Sequence, residues 1–361
     1  MGSVKDLIIL KKPEANKTGE GIFEFSDRYS VFDWGEMPDH IEYKGVAINL
    51  LASYFFELIE SKGIHTHYNG ILYEDKLYNI LDNNIFNENN EKIKKDLNDL
   101  NLKKLNKMKV KLVNVYKPEL KENFYDYSIY SKKNTNYLLP LEIIYRNKIT
   151  ENSSFLKRYK ESRLNLNDFG LTDFPEINIK LKKPIIDFST KLEITDRYIS
   201  KDEAKKISNL NEKEMDKLIE ILIFVNEIIT EQFSKIGFEN IDGKIEVAFD
   251  ENREFMIVDV FGTLDECRFF YNDINISKEI LRIYYRNTKW YNDVEEAKKI
   301  DRFNWKKIIK STPEKLPQEL KEAVSSIYCY VTNKITGIEI FKNINDFDYS
   351  IKTIKKWARN N

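Results

Sequence analysis

A change of apolar period in the second half of the chain constrains the fold more than any other feature. Met215, Leu218, Leu222, Val225, Ile229 and Phe233 recur at three- and four-residue steps, which gathers them on one face of a helix covering roughly residues 201–234. Gly237 closes that helix, and two strand-like runs follow, 244–249 and 255–261, around the turn Asp250-Glu251-Asn252-Arg253. A long amphipathic helix feeding a hairpin needs both helix and sheet packing. The first seventy residues repeat the mixture. Apolar runs at 7–10 and 21–25 flank a turn-rich stretch, 13–19, and form a hairpin. Ala47, Leu51, Tyr54, Phe55 and Leu58 then mark a helix over 46–61, Gly63 suits its C-cap, and 64–68 continues as a strand. Mixed elements in this order specify an α+β chain with antiparallel sheets and two lobes around a cleft.

Between the lobes the composition shifts. Residues 83–111 are dense in Asn, Lys, Asp and Leu and read as an exposed, partly helical insertion within a Lys/Asn-rich segment, 81–135. Its lysines alternate with acidic residues, so a solvated face is favoured over a nucleic-acid surface. Residues 137–145 return to apolar character; Pro140 breaks the run, giving two strand pieces or an edge. After Arg268 the chain reads as mainly helical.

Several function classes drop out. The 58 Lys and Arg nearly cancel the 59 Asp and Glu, so no basic balance points to nucleic acid. Apolar runs such as 48–56 and 219–225 are far shorter than the ~20 residues of a membrane span, and a secretory signal is not expected from the early charge at Lys5 and Asp6. Only Cys267 and Cys329 occur, without CxxC spacing, so a disulfide scaffold or thiolate zinc site is not expected and a reducing cytoplasm is. Length alone suits about two domains.

Candidate chemistry begins on the 244–261 hairpin. Glu246 and Asp259 on facing strands are the kind of carboxylate pair that holds a hard cation such as Mg²⁺, although hairpins also carry charge on solvated faces. Glu142 stands in an apolar run, where an unpaired charge is costly. Arg146 ends that run and suits either a structural carboxylate partner or a phosphate. Lys5, Lys157 and Lys191 come from a lysine-rich chain, in which any single lysine is most simply a solvated one. His65 and His67 alternate along a strand-like stretch; packing or hydrogen bonding is favoured over a metal role.

Taken together, blocks of the sequence form a consistent series. Gly2-Ser3-Val4-Lys5-Asp6-Leu7 opens it, followed by Ser26-Asp27-Arg28-Tyr29-Ser30-Val31-Phe32-Asp33, Lys44-Gly45 and Gly63-Ile64-His65-Thr66-His67. Pro140-Leu141-Glu142-Ile143-Ile144-Tyr145-Arg146-Asn147, Ser154-Phe155-Leu156-Lys157-Arg158 and Thr190-Lys191-Leu192-Glu193 with Asp196 come next. Asp242-Gly243-Lys244-Ile245-Glu246, Asp259 and Asp265-Glu266-Cys267-Arg268 close it. In this order the blocks resemble the SAICAR synthetase family, purine-biosynthesis ligases with a two-lobed, ATP-grasp-like fold and a nucleotide cleft. The resemblance covers about 1–75 and 136–337. It implies a β-rich nucleotide-loop lobe at 1–80, the insertion at 81–135, a second lobe with the Mg²⁺ and ribonucleotide site at 136–280, and a helical extension at 281–361.

The same resemblance implies an ATP- and Mg²⁺-dependent ligase that joins aspartate to the carboxylate of carboxyaminoimidazole ribonucleotide through an acyl phosphate. Lys5 and Lys191 would meet the ATP phosphates, with Val4 and Glu142 beside the nucleotide. Glu246 and Asp259 would hold Mg²⁺. Arg146, Ser154 and Arg268 would clamp the ribonucleotide phosphate, Asp33 and Lys244 would approach the imidazole or its carboxylate, and Asp196 the metal or the aspartate. A homo-oligomer is a further expectation. Departures exist: Ser3 replaces the first loop lysine, Ser153 a glycine, and Val260 a frequent glutamate. These leave open a relative acting on another acid or amine, or a catalytically silent nucleotide binder.

Overall fold

The computed structural model describes residues 4–81, 86, 102–122, 124–131 and 135–359. A five-stranded sheet forms the first lobe from β1 (Lys5–Lys11), β2 (Gly19–Phe25), β3 (Tyr68–Tyr73), β4 (Lys76–Tyr78) and β5 (Lys107–Leu112), in the order β1-β2-β5-β3-β4. A short ribbon follows, β6 (Glu119–Lys121) with β7 (Phe124–Asp126). The second lobe is built on β8 (Tyr137–Lys148), β9 (Lys180–Thr190), β10 (Tyr198–Ile199), β11 (Glu239–Phe249), β12 (Phe255–Val258), β13 (Cys267–Tyr271) and β14 (Ile274–Asn275). Its order is β10-β9-β8-β11-β13-β14, with β12 on β11 beyond β13. All ladders between these strands are antiparallel, and the chain is α+β as expected.

The helix Lys44–Glu60 is buried on almost every side. A helix apolar around its whole circumference belongs inside a core, and this one lies between the first sheet and the C-terminal helix Gln318–Thr336, whose Thr332 hydroxyl reaches the Ala47 carbonyl. The lobes are joined by backbone: His67 N donates to Ile257 O at 3.0 Å, and Ile257 N to His65 O at 2.9 Å. One continuous apolar cluster runs through both.

Four local readings change. The strand expected over 64–68 begins at Tyr68, because residues 65–67 spend their backbone groups on Ile257 and Lys111. The helix expected over 201–234 is two, Lys201–Ile207 and Glu212–Lys235. Asn211 starts the second with a reciprocal cap to Glu214, an N-cap signature three residues long that the apolar periodicity conceals. Pro140 does not break its run. The β8–β11 ladder shifts register between Glu246 and Ala248, so the proline, which has no N–H to give, falls in a bulge of an interior strand. Finally, the segment 81–135 is not wholly an insertion. Within it, β5 lies between β2 and β3 at the centre of the first sheet, with Met108 and Val110 fully buried. Alternating lysines mask its two-residue period.

Candidate active site

The pairing of β8 with β11 sets the first half of the site. It places Glu142 directly opposite Glu246, and Ile144 opposite Lys244. Like charges facing across a sheet repel unless cations stand between them, and two do. Lys191 Nζ, just past the end of β9, lies 2.6 Å from Glu246 Oε1 and 3.2 Å from Glu142 Oε1. Lys244 Nζ lies 2.6 Å from Glu142 Oε1 and 3.4 Å from Glu266 Oε2.

Asp259 completes this group from the residue after β12, in the left-handed region at φ 62°. Lys5, at the start of β1, donates to its carboxylate. The buried His67 ring approaches the Asp259 carbonyl through Nε2 at 3.0 Å. Burial, then the Asp259 charge, push the Glu246 carboxyl up to about 7. Burial also opposes ionisation of Asp259, but Lys5 beside it holds its carboxyl well below the usual range. The difference is one of partners: the nearest cation of Asp259 is its own, whereas Lys191 is shared. Glu246 and Asp259 offer hard oxygen donors side by side. Among the described residues no group of three or more His, Cys, Asp or Glu could hold a metal ion. A cation here would rest on two protein carboxylates, a donor set that suits Mg²⁺ when phosphate oxygens and water fill the rest of the shell.

The second half is built from arginines. Arg146, 2% exposed on β8, has Nη2 2.9 Å from Asp187 Oδ2 and 3.2 Å from Ser154 Oγ, and Nη1 3.5 Å from Asp242 Oδ2. Arg158, from the helix Ser154–Lys160, shares Asp187 and lies over the Tyr198 ring, 3.9 Å from its centroid. Arg268 on β13 grips Asp242 with both arms of its fork, Nε to Oδ1 at 2.7 Å. The Tyr198 hydroxyl lies 2.8 Å from Ser154 Oγ. Gly243 permits the sheet to close here, since a Cβ would overlap the Tyr145 hydroxyl and the Cys267 sulfur. Three guanidiniums share two carboxylates, and the surplus positive charge in fixed forks suits a phosphate.

One cavity of about 540 Å³ joins the halves, lined by Glu142 and Lys244 at one end and Arg146, Ser154 and Arg268 at the other. A larger cavity, about 1260 Å³, lies against the β6–β7 ribbon and holds none of this machinery.

Comparison with known proteins agrees with this architecture. The SAICAR synthetase family model matches residues 2–298. The chain belongs to the SAICAR synthetase family. A curated protein of Archaeoglobus fulgidus, provisionally named a phosphoribosylaminoimidazole-succinocarboxamide synthase, is 47% identical over 94% of this chain and 95% of its own length. The enzyme of that name from Thermoplasma acidophilum is 30% identical over 88% of this chain and 92% of its own. Among solved structures, a type-2 SAICAR synthetase in complex with ADP superposes at TM-score 0.52 and 22% identity over 87% of this chain and 99% of its own. The Saccharomyces cerevisiae SAICAR synthase complexed with SAICAR superposes at 0.57 and 20% over 93% of each chain. SAICAR synthetases are ATP-dependent ligases of purine biosynthesis, and this chain is one of that family by sequence and by fold.

With the family in hand, each expected residue can be located. Glu142, Lys191, Lys244 and Glu246 form one contact network, the Lys5–Asp259 pair acts on Glu246 through its charge, and Arg146, Ser154 and Arg268 form a second network through Asp242. Three stand at the margins. Val4, just before β1, accepts from the Ser26 hydroxyl through its carbonyl. Asp33 lines the cavity with an exposed side chain, 3.6 Å from Lys298. Asp196 lies in the loop between β9 and β10, its carboxyl raised to about 6 by burial and then the Glu142 charge. His67 is a hydrogen-bonding residue, as its sequence context favoured.

Other site residues escaped the sequence reading. Asp187 and Asp242 organise the arginines, Arg158 and Tyr198 join them, and Arg282, Arg286 and Lys298 line the cavity from helices set aside as an extension. Arg158 was within reach, since it ends the Ser154–Arg158 block. The cavity-lining cations beyond 281 carried no local signal; only the fold brings them in.

Proposed function

We propose that this chain joins the amine of aspartate to the carboxylate of carboxyaminoimidazole ribonucleotide, with ATP and Mg²⁺, in the cytoplasm. The observation that carries the reading is one cavity lined by Arg146, Ser154 and Arg268 and by Glu142 and Lys244, the last two tied through Lys191 to Glu246 behind them. An acid needs its phosphate held at a distance from its reacting carboxylate, and the two ends supply those two sites.

The chemistry follows from the weakness of a carboxylate as an electrophile. Its oxygen attacks the γ-phosphorus of ATP, ADP leaves, and an acyl phosphate forms. The aspartate amine then attacks the carbonyl carbon, phosphate departs, and the amine gives up a proton as the amide forms. Phosphoryl transfer requires little covalent help; it requires alignment and neutralisation of crowded charge.

In this reading Lys5 and Lys191 lie against the ATP phosphates, and Val4 and Glu142 flank the nucleotide. Glu246 and Asp259 hold Mg²⁺, which when bound neutralises phosphate oxygens. Arg146, Ser154 and Arg268 hold the ribonucleotide phosphate. Lys244 and Asp33 face the imidazole or its carboxylate, and Asp196 faces the aspartate. Cys267 and Cys329, both buried and free, suit a reducing compartment.

The test is turnover with ATP, Mg²⁺, aspartate and carboxyaminoimidazole ribonucleotide, following ADP and the succinyl product together. Equal amounts of both are expected. ADP with a different amine or acid, and none with these, would replace the substrates; nucleotide binding without any turnover would sink the enzyme reading.

A further inference from the structure

We propose that the ribbon β6–β7 and the turn after it are a positioning element for the loop 191–197, acting through Glu193. The inference rests on the reading of Lys191 as the lysine that meets ATP phosphates, and it gives a purpose to part of the segment that sequence alone sets aside as an insertion.

The loop is tied at its ends and again at its middle. Its ends are closed by Thr190 N to Arg197 O at 2.9 Å and by Arg197 N to Thr190 Oγ1 at 3.0 Å, while Lys191 N donates to Pro140 O at 2.9 Å. Between these ties Leu192 adopts φ 77°, a left-handed conformation that persists in a residue with a Cβ only where the surroundings enforce it. The ribbon supplies that enforcement. Ile194 N donates to the Tyr125 hydroxyl at 2.9 Å, and the Tyr127 hydroxyl donates to Glu193 Oε1 at 2.5 Å. Glu193 is a charge with only 2% of its side chain exposed, and its other partner is Arg197 Nε at 3.2 Å. A buried carboxylate must be paired from fixed positions, so the two tyrosines set where the middle of the loop lies.

The ribbon is in turn tied to the strands that carry the site. Tyr127 packs on Tyr130 with ring centroids 6.1 Å apart, Tyr130 on Tyr137 at 5.7 Å, and Tyr137 on Phe249 at 5.6 Å. Tyr137 belongs to β8 and Phe249 to β11, the strands of Glu142 and Glu246. Burial and the neighbouring Glu193 charge keep Tyr127 protonated and so a donor. Lys191 is therefore located from both sides: by its own strand β9, and by an aromatic chain from the two strands it must face. Tyr127, Tyr125 and Glu193 are positioning residues, because nothing places them against substrate.

Tyr127→Phe and the double variant Tyr125→Phe/Tyr127→Phe remove the hydroxyls and keep the rings; Glu193 retains Arg197, which favours folding. Displacement of a phosphate-facing group by a fraction of an ångström should lower kcat about tenfold in the single variant and more in the double. The KM for the ribonucleotide should stay within about twofold, since the arginine end is untouched. Amide hydrogen exchange across 191–197, read without substrate, should quicken in both variants while exchange in β8 and β11 does not. Wild-type exchange in the double variant, or wild-type kcat beside an active parent, overturns the proposal. A parent inactive on every acid–amine pair, with exchange still quickened at 191–197, removes the ligase reading and leaves the ribbon's hold on the loop in place.

Discussion

The two charge networks that meet at the cavity, each built around three cations, solve opposite electrostatic problems. At the arginine end three guanidiniums, of Arg146, Arg158 and Arg268, face two carboxylates, Asp187 and Asp242. At the lysine end three ammonium groups, of Lys5, Lys191 and Lys244, face four carboxylates, Glu142, Glu246, Asp259 and Glu266. The first network has more cations than carboxylates and the second more carboxylates than cations, with Glu246 the carboxylate that burial and Asp259 push toward its neutral form. The first suits an anion held in place and the second a cation. The residue types match this division: planar forks keep one geometry, whereas lysine is a point charge on a flexible stem that re-pairs as ligands arrive.

The sharpest break in that contrast is neutralisation of the lysine end. Glu246→Gln and Asp259→Asn keep side-chain volume and remove one negative charge each. Turnover should fall by about 10³ or more in either, which at 1.36 kcal/mol per decade is about 4 kcal/mol of transition-state stabilisation. Burial and the Asp259 charge already push the Glu246 carboxyl upward, so Glu246→Gln should fold with little loss, whereas Asp259→Asn leaves Lys5 without its carboxylate and should lose more stability. Circular dichroism and coupled ADP release check both halves of that statement. Wild-type rates in both variants would remove the metal assignment.

The arginine end should respond in binding instead. Arg268→Lys keeps the charge and loses the two-armed grip on Asp242 and on any phosphate oxygen. The KM for the ribonucleotide should rise about 10- to 100-fold, or about 1.4–2.7 kcal/mol, with kcat changing less than about threefold. Initial-rate kinetics with the acid varied at saturating ATP would show it. A fall in kcat with constant KM would mean that the two ends are not separate in function.

How much of this contrast is legible in the sequence depends on where the information is stored. Glu246, Arg146 and Lys244 stand in short blocks on β8 and β11, so their residue types and spacing announce them, but the ladders decide who faces whom. Glu246 lies opposite Val258 and Glu142, and Asp259, expected opposite it on a strand over 255–261, follows the end of β12 at Val258. The countercharges are different. Asp187 is a single aspartate in β9, and nothing nearby marks it as the shared partner of Arg146 and Arg158. Charge balance at a site is a property of three dimensions. The same holds for fold details: Pro140 reads as a break until the bulge of β8 against β11 is known, and β5 reads as insertion until β2 and β3 are found on either side of it. Local composition misleads where tertiary pairing decides.

One loop joins the two ends, running from Asp259 to Arg268, and it is pinned at its middle by Asp265. The Asp265 carboxylate accepts from Lys44 Nζ at 2.9 Å and from the Tyr328 hydroxyl at 2.6 Å, with Lys44 fully buried. Tyr328 comes from the helix Gln318–Thr336, so the C-terminal extension reaches the back of the site. Burial opposes ionisation of Asp265, but Lys44 and Lys278 hold its carboxyl well below the usual carboxylate range. A depressed carboxylate contributes stability that is whole above its unfolded value and drains as the pH falls below it. Tyr328→Phe removes one hydrogen bond to the charged form and raises the folded pKa toward the unfolded one. It should cost about 1 kcal/mol at neutral pH and move the acid-unfolding midpoint to higher pH. Because the loop carries a residue of each end, the KM values for ATP and for the ribonucleotide should rise together, by about two- to threefold each, a few tenths of a kcal/mol. An unchanged acid midpoint would show that the hydroxyl does not hold Asp265. A rise in only one KM would show that the loop transmits to one end alone, and the two halves of the cavity would then be independent sites that share a wall.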